Sequence, residues 1–377
     1  MAKKKLLFFS IFIIIILVFV TIYNIIYKNN NIYLNNKDEA PNFISIMLEE
    51  TVGSGEYKVS KSNKWPSKGY VFNKEMSYCN NGSTLTWNEN DNSVSVNINK
   101  TDKCYVYFDI YQLTLAEYIK SQYTGTQGEN SLYYHNSTLT NGAGDNSYRY
   151  AGASDSVNNY ICLGSDATTC PDANLFRIIG VFGNQTKVIR AKSVGYQQWH
   201  TSADNTWSSS SLNAYLNGTY LTSLGTIAEK IATTTWKVGG GSGSNISASV
   251  PKTAYQNEVG SSASTTIIDK KIGLMYVSDY GFAASPSAWT KTLGDYDGTD
   301  ANGTSIKTIN WMYMGYNEWT ISRRSDLTNH SFRVHSSGFV RYDHVTSSFG
   351  VRPSFNLESS VKYVSGSGSM SDPVRVN

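Results

Sequence analysis

Charge is scarce in this chain: Asp, Glu, Lys and Arg make up 16% of its 377 residues, and the formal net charge is +3. Lys3, Lys4 and Lys5 account for all of that excess, so the remainder is formally neutral. A nucleic-acid-binding protein presents a basic face, and none is visible here. Charge-driven disorder is excluded too, because such segments are poor in aromatics, whereas 13% of this chain is Phe, Trp or Tyr. Catalytic signatures are also missing. The histidines, His135, His200, His330, His335 and His344, form no HExxH pattern. There is no GxSxG elbow, and the glycines of "GGGSGS" lack the lysine and helix that would cradle a phosphate. With no CxxC and no histidine at ligand spacing, no metal and no cofactor is expected. Asp297 and Asp300 in "YDGTDANG" could ligate calcium, but an Asp/Gly turn accounts for the same residues.

What the chain does have is Gly, Ser, Thr and Tyr in short alternating runs, which favours β structure. Its sharpest single feature is the uncharged stretch Leu6 to Tyr27 behind three lysines. A run of roughly 20 apolar residues suffices for a transmembrane helix, and preceding lysines place the N-terminus in the cytoplasm. A cleaved signal peptide would have a shorter apolar core and a small-residue cleavage site, and no such site follows. The sequence therefore predicts a single-pass cell-membrane anchor over 1–28, a polar spacer over 29–50, and an extracellular remainder.

Four cysteines suit an oxidising compartment. Of the three possible connectivities we favour local pairing, Cys79 with Cys104 and Cys162 with Cys170. Within 51–112, "STLTW", "SVSVNI" and "CYVYFDI" alternate as half-buried strands, the first two as a hairpin across "NENDN". A disulfide would staple this small β domain, read as a stalk. "TLAEYIKSQY" forms an amphipathic helix with Leu115, Tyr118, Ile119 and Gln122 on one side, a connector over 113–132.

The main domain, 133–377, opens with "NLFRIIGVFG" and "TKVIRAKSVG", paired buried strands turning at Gly183-Asn184. "SSSSLNAYLNGTYLTSL" is a serine-capped helix, followed by a Gly/Ser-rich loop to about Ser264. "KIGLMYVSDYGFAA" reads as a buried strand and turn. Near the C-terminus, "FRVHSSGFVRYDHV" reads as a hairpin. Alternation points Phe332, Val334, Val340 and Tyr342 inward and Arg333, His335, Phe339, Arg341 and Asp343 outward. Arg352, flanked by apolar residues in "GVRPSF", is expected to be a structural arginine with a carboxylate or carbonyl partner.

The segments "YRYAGASDSVNNYICLGSD", "CPDANLFRIIGVFG", "KIGLMYVSDYGFAASPSAW" and "FGVRPSFNL" resemble bacterial surface proteins that carry a domain of unknown function, DUF6273. The resemblance implies a C-type-lectin-like fold of the formylglycine-generating-enzyme type. Taken together, the expected class is α+β: an N-terminal transmembrane helix, a small β-rich stalk and a C-terminal C-type-lectin-like domain. The reactive cysteine pair of the formylglycine-generating enzymes has no counterpart in the C-terminal half, so oxidase activity is not implied. Calcium-dependent sugar binding is not implied either, since there is no Glu-Pro-Asn or Gln-Pro-Asp triplet.

Some of these proteins resemble the variable proteins of diversity-generating retroelements, in which adenines of AAC or AAT codons are randomised. Such codons cannot yield Lys, Glu, Gln, Trp or Met. None of these occurs from Thr320 to Leu357, where arginine stands at 323, 324, 333, 341 and 352. The leading expectation is thus a non-enzymatic binding protein for a cell-surface protein or glycan. Its face would comprise Arg324, Asp326, Arg333, His335, Phe339, Arg341, Asp343, His344 and Phe349. Two alternatives stay open: a purely structural envelope protein, and an extracellular enzyme using His335, Asp343 and His344.

Overall fold

The computed structural model describes residues 43–60, 66, 69–88, 93–97, 101–239, 241–260 and 267–377. The expected anchor, Leu6 to Tyr27, lies outside the described residues. The structure corrects the fold class, being mostly β, with 35% strand and 19% helix. No helix among the described residues is long and apolar enough to cross a membrane, so the expected transmembrane helix is not supported. The longest helical run among the described residues, Ser211 to Ser223, would reach about 20 Å, short of the roughly 30 Å hydrocarbon core. The chain divides into two compact units, Met1–Gln112 and Leu113–Asn377.

In the first unit, Phe43–Glu49 pairs antiparallel with Tyr57–Val59 and parallel with Lys103–Ile110. The far side of Lys103–Ile110 carries Tyr70–Cys79. Phe43–Glu49 falls in the segment read as spacer, yet Ile44, Ile46 and Leu48 alternate along it and join the core of Val94, Val106 and Phe108. The hairpin Thr84–Asn88 and Ser93–Asn97 pairs Leu85 with Val96 and Trp87 with Val94. Trp87 stacks on Phe72 at 4.9 Å between ring centroids. Cys79 is bonded to Cys104, its direct cross-strand neighbour.

The second unit is built on two larger sheets and a two-stranded one, Thr234–Lys237 with Ile267–Lys270. The larger is nine-stranded, and its main path runs Ile272–Gly273, Ser354–Asn356, Gln185–Arg190, Leu175–Phe182, Tyr160–Cys162, Val374–Val376, Tyr363–Ser365. Leu132–Tyr134 and Tyr148–Tyr150 branch from it, the latter pairing with Leu175–Phe182. Gly183 makes the hairpin turn at φ 63°, a left-handed conformation that glycine adopts without steric cost. Cys162 is bonded to Cys170. The helix Leu115–Ser121, capped reciprocally by Thr114 and Glu117, puts Leu115, Ala116 and Ile119 into the main core. It therefore belongs to this unit's core, not to a connector.

Six tryptophans are fully buried in this unit, and those at 199, 236, 289, 311 and 319 each donate the indole N–H to a backbone carbonyl. Burying such large side chains with their one polar atom satisfied stabilises a core assembled from short strands.

Two segments differ from expectation. "KIGLMYVSDYGFAA" yields only a short strand, Ile272–Gly273, and then the helix Val277–Phe282. The Asp279 carboxylate accepts the Tyr276 N–H at 2.9 Å and so starts the helix, a third-position cap that strand-like apolar content conceals. The Gly/Ser-rich loop likewise contains the helix Pro251–Glu258, with proline in its first turn, where a missing N–H costs nothing.

Candidate functional site

The smaller sheet orders its strands Tyr196–Gln198, Ser348–Gly350, Glu318–Arg323, His330–Val334 and Val340–His344. The last two form a hairpin pairing His330 with His344, Phe332 with Tyr342, Arg333 with Arg341 and Val334 with Val340. Phe332, Val334 and Val340 are buried and Tyr342 half-buried, which leaves the alternate positions to build the opposite face.

On that opposite face Arg333 is held from three sides. Its Nε donates to Asp343 Oδ2 at 3.2 Å and its Nη1 to Asn317 Oδ1 at 2.8 Å, and the guanidinium lies 4.7 Å from the Phe349 ring centre. At 7% exposure it is a fixed strut, not a free cation. Asp343 also accepts the His344 N–H and the Ser347 hydroxyl. Arg341, directly opposite Arg333, is exposed. At the turn, His335 stacks on Phe339 with centroids 4.3 Å apart and planes within 11°. Burial, then Arg333 and Arg341, push the His335 pKa below its ordinary value.

The residues expected on one face divide between two. Arg333, His335, Phe339, Arg341, Asp343 and Phe349 gather as described. His344 pairs with His330 on the Tyr342 side, because adjacent strand residues point oppositely. Arg324 goes with them: a register shift between Trp319 and Arg323 precedes it, and its guanidinium lies 3.8 Å from the Tyr342 ring centre, paired to Asp326. The side chains of His335, Asp343 and His344 make no hydrogen bond to one another among the described residues; His344 Nδ1 instead meets Thr346 Oγ1 at 2.7 Å.

The arginines of Thr320 to Leu357 have a physical account. Arg352, 1% exposed, binds Glu318 through Nε and Nη2 at 2.5 and 2.9 Å and reaches the Met312 carbonyl. Arg323 donates to the Val238 carbonyl and to Asn205. With Arg324 and Arg333, four of the five are thus engaged through planar, multi-donor geometry that lysine cannot reproduce. Asp300 accepts the N–H groups of Asn302 and Thr304 at 2.9 and 2.8 Å, as a turn aspartate does. Cys79, Asp102 and Cys104 come together as ligand-type residues, but both sulfurs are in the disulfide.

A second constellation, which sequence reasoning missed, lies on the larger sheet. Asn356 pairs with Lys187, Lys187 with Gly180, and Gly180 with Arg149, so one cross-strand row carries an amide, an ammonium and a guanidinium. Gly180 has no room for a side chain: a Cβ there would meet the Tyr148 carbonyl oxygen at 2.2 Å. The helix Val277–Phe282 brings Asp279 against the row, 2.5 Å from Lys187 Nζ and 3.7 Å from Arg149 Nη1. Arg149 is also tied to Asp145 at 2.6 Å and to Ser147 at 2.8 Å. Burial pulls the Lys187 pKa down, and Asp279 opposes that. Nearby, Glu258 accepts the Val277 and Ser278 N–H groups at 2.9 Å and the Ser322 hydroxyl, while burial raises its pKa.

Beside the row is a cavity of about 210 Å³ walled by Phe182, Trp236, Tyr255 and Tyr276. Arg149 Nη1, Ser278 Oγ and Asn356 Oδ1, three buried atoms of residues lining it, have no hydrogen-bond partner. One sequence signal pointed here: Lys187 sits mid-strand in a segment read as buried, where a charge requires a partner.

A mostly β domain with one exposed arginine-bearing face and one charged, aromatic-walled cavity is the class that geometry defines. Residues 183–359 match the family described as "Domain of unknown function (DUF6273)", and a DUF6273 domain spans them. The match includes Lys187, Asp279, Asn356 and the whole hairpin, but not Arg149. No curated protein and no solved structure matches the chain. Nothing found links it to C-type-lectin-like proteins or to diversity-generating retroelements.

Proposed function

We propose that the Leu113–Asn377 unit is an extracellular, non-enzymatic binding domain whose reading surface is the hairpin face around Arg341, and that its ligand is a protein surface bearing carboxylates. The observation that carries this reading is the division of labour between the two paired arginines. Arg333 is immobilised by Asp343, Asn317 and Phe349, and Arg341 beside it is exposed with no partner in the described structure. A cation displayed on a rigid, aromatic-flanked strand loses little conformational freedom on binding. The extracellular placement rests on the two disulfides and needs no membrane anchor. Codon diversification is not needed to account for Arg323, Arg324, Arg333 and Arg352, which have structural roles.

Poly-L-glutamate, titrated by fluorescence anisotropy, serves as the carboxylate probe. Binding that falls at least about tenfold in Arg341→Ala, weakens with salt and survives Leu327→Ala on the exposed 325–328 turn supports the proposal. Equal binding by the wild-type protein and Arg341→Ala would overturn it.

A further inference from the structure

We propose that the cavity beside the Asn356–Lys187–Gly180–Arg149 row binds the acylamino group of a small neutral molecule, a secondary amide with a short apolar acyl chain. The argument begins with charge. Arg149 pairs with Asp145, and Lys187 with Asp279, so the cations of the row are already matched by carboxylates. Glu258 does not line the cavity, and its carboxylate already accepts three hydrogen bonds. A charged ligand would add an unmatched charge to a site walled by aromatics. The complementary ligand is neutral.

Hydrogen bonding then narrows the class. Arg149, 2% exposed, has Asp279 Oδ1 3.7 Å from Nη1 but no acceptor within hydrogen-bond distance of it, and Asn356, whose Nδ2 donates to Thr234, has no donor at Oδ1. An unmet donor, an unmet acceptor and the unpaired Ser278 hydroxyl, which can serve as either, suit a carbonyl oxygen and an N–H, the two polar groups of a secondary amide. The walls suit the remainder: Trp236 and Tyr276 offer apolar surface to an acyl methyl group. Exposed Thr235 and half-buried Lys237 and Val259 line the cavity toward solvent, leaving a way out for the rest of the molecule. Amino sugars and peptides both carry such a group, so the chemistry they share is what the site would read.

The experiment is isothermal titration of the full chain with N-acetylglucosamine, N-acetylalanine amide, N-methylacetamide and glucose. The expected result is heat from the amide-bearing probes and none from glucose. The stronger of the first two probes identifies a sugar or a peptide source. Val259→Phe, which adds bulk at a cavity-lining position outside the charged row, should abolish binding, and Asn356→Leu should weaken it about tenfold, the worth of one hydrogen bond. Because Asn356→Leu could perturb its own strand, Val259→Phe is the deciding variant, with far-ultraviolet circular dichroism as the fold control. If no amide probe binds, ordered water alone completes the three unpaired atoms, and the proposal is wrong. It is equally wrong if glucose matches the amides, or if Val259→Phe leaves binding intact.

Discussion

The hairpin face and the charged cavity use the same chemistry to opposite ends. Each holds an arginine against carboxylate and aromatic groups: Arg333 on Asp343 and Phe349, Arg149 on Asp145 and Phe182. In the hairpin the partners are ten residues apart on paired strands, Asp343 is one-third exposed, and water screens the pair. In the cavity, Lys187 and Asp279 come from segments 92 residues apart and both are buried. The difference teaches that a surface ion pair positions, whereas a buried network makes its members depend on one another. Removing one partner at the surface leaves a solvated charge; removing one in the interior leaves a charge with nowhere to go.

The largest test of that contrast is Asp279→Ala. It strands Lys187 and takes the nearest unpaired carboxylate oxygen from Arg149, so unfolding by urea should show a loss of about 3–5 kcal/mol. Replacing both partners, Lys187→Met with Asp279→Leu, should recover most of it, because a matched apolar pair carries no desolvation cost. A single variant as stable as the wild type would remove the distinction between the two regions. Arg333→Ala comes next, at about 1–2 kcal/mol by the same measurement, since a stacked, partly screened guanidinium is lost. Arg341→Ala should change stability by less than about 0.5 kcal/mol while reducing poly-L-glutamate binding. A comparable loss of stability in both variants would mean that Arg341 is a strut like Arg333.

The same contrast decides what could be read from the chain. Period-two alternation and local cysteine spacing are short-range facts, so the hairpin register and the two disulfides were within reach of the sequence. Alternation also forbids Asp343 and His344 from sharing a face, a consequence that adding both to one site overlooked. Arg324 was harder, because the register shift before it leaves no mark in composition. The cavity lay beyond such reasoning altogether. Arg149, Lys187 and Asn356 meet only through strand order, and the helix that brings Asp279 to them looked like a strand. Lys187 alone betrayed it, as a charge inside a run with no solvated side.

The smallest expected effect is a change in proton affinity at His335, and it sharpens the account of the surface region. Burial, Arg333 and Arg341 each disfavour the imidazolium, while Asp297 pulls the other way. The folded-state pKa therefore lies below the unfolded value of about 6.5. A group depressed in this way contributes stability that is fully present above the unfolded pKa. The contribution is lost as pH falls through that value toward the folded one, because the unfolded chain then binds the proton first. Arg341→Ala removes one like charge, so the His335 resonance followed by nuclear magnetic resonance should titrate at higher pH than in the wild type. The fall in stability between about pH 7 and 5 should become shallower as well. Arg333→Ala should move the resonance in the same direction and further, because Arg333 is the stronger of the two influences. An unchanged titration in both variants would show that burial against Phe339 alone sets the shift, and that the exposed arginine does not govern the electrostatics of its own face.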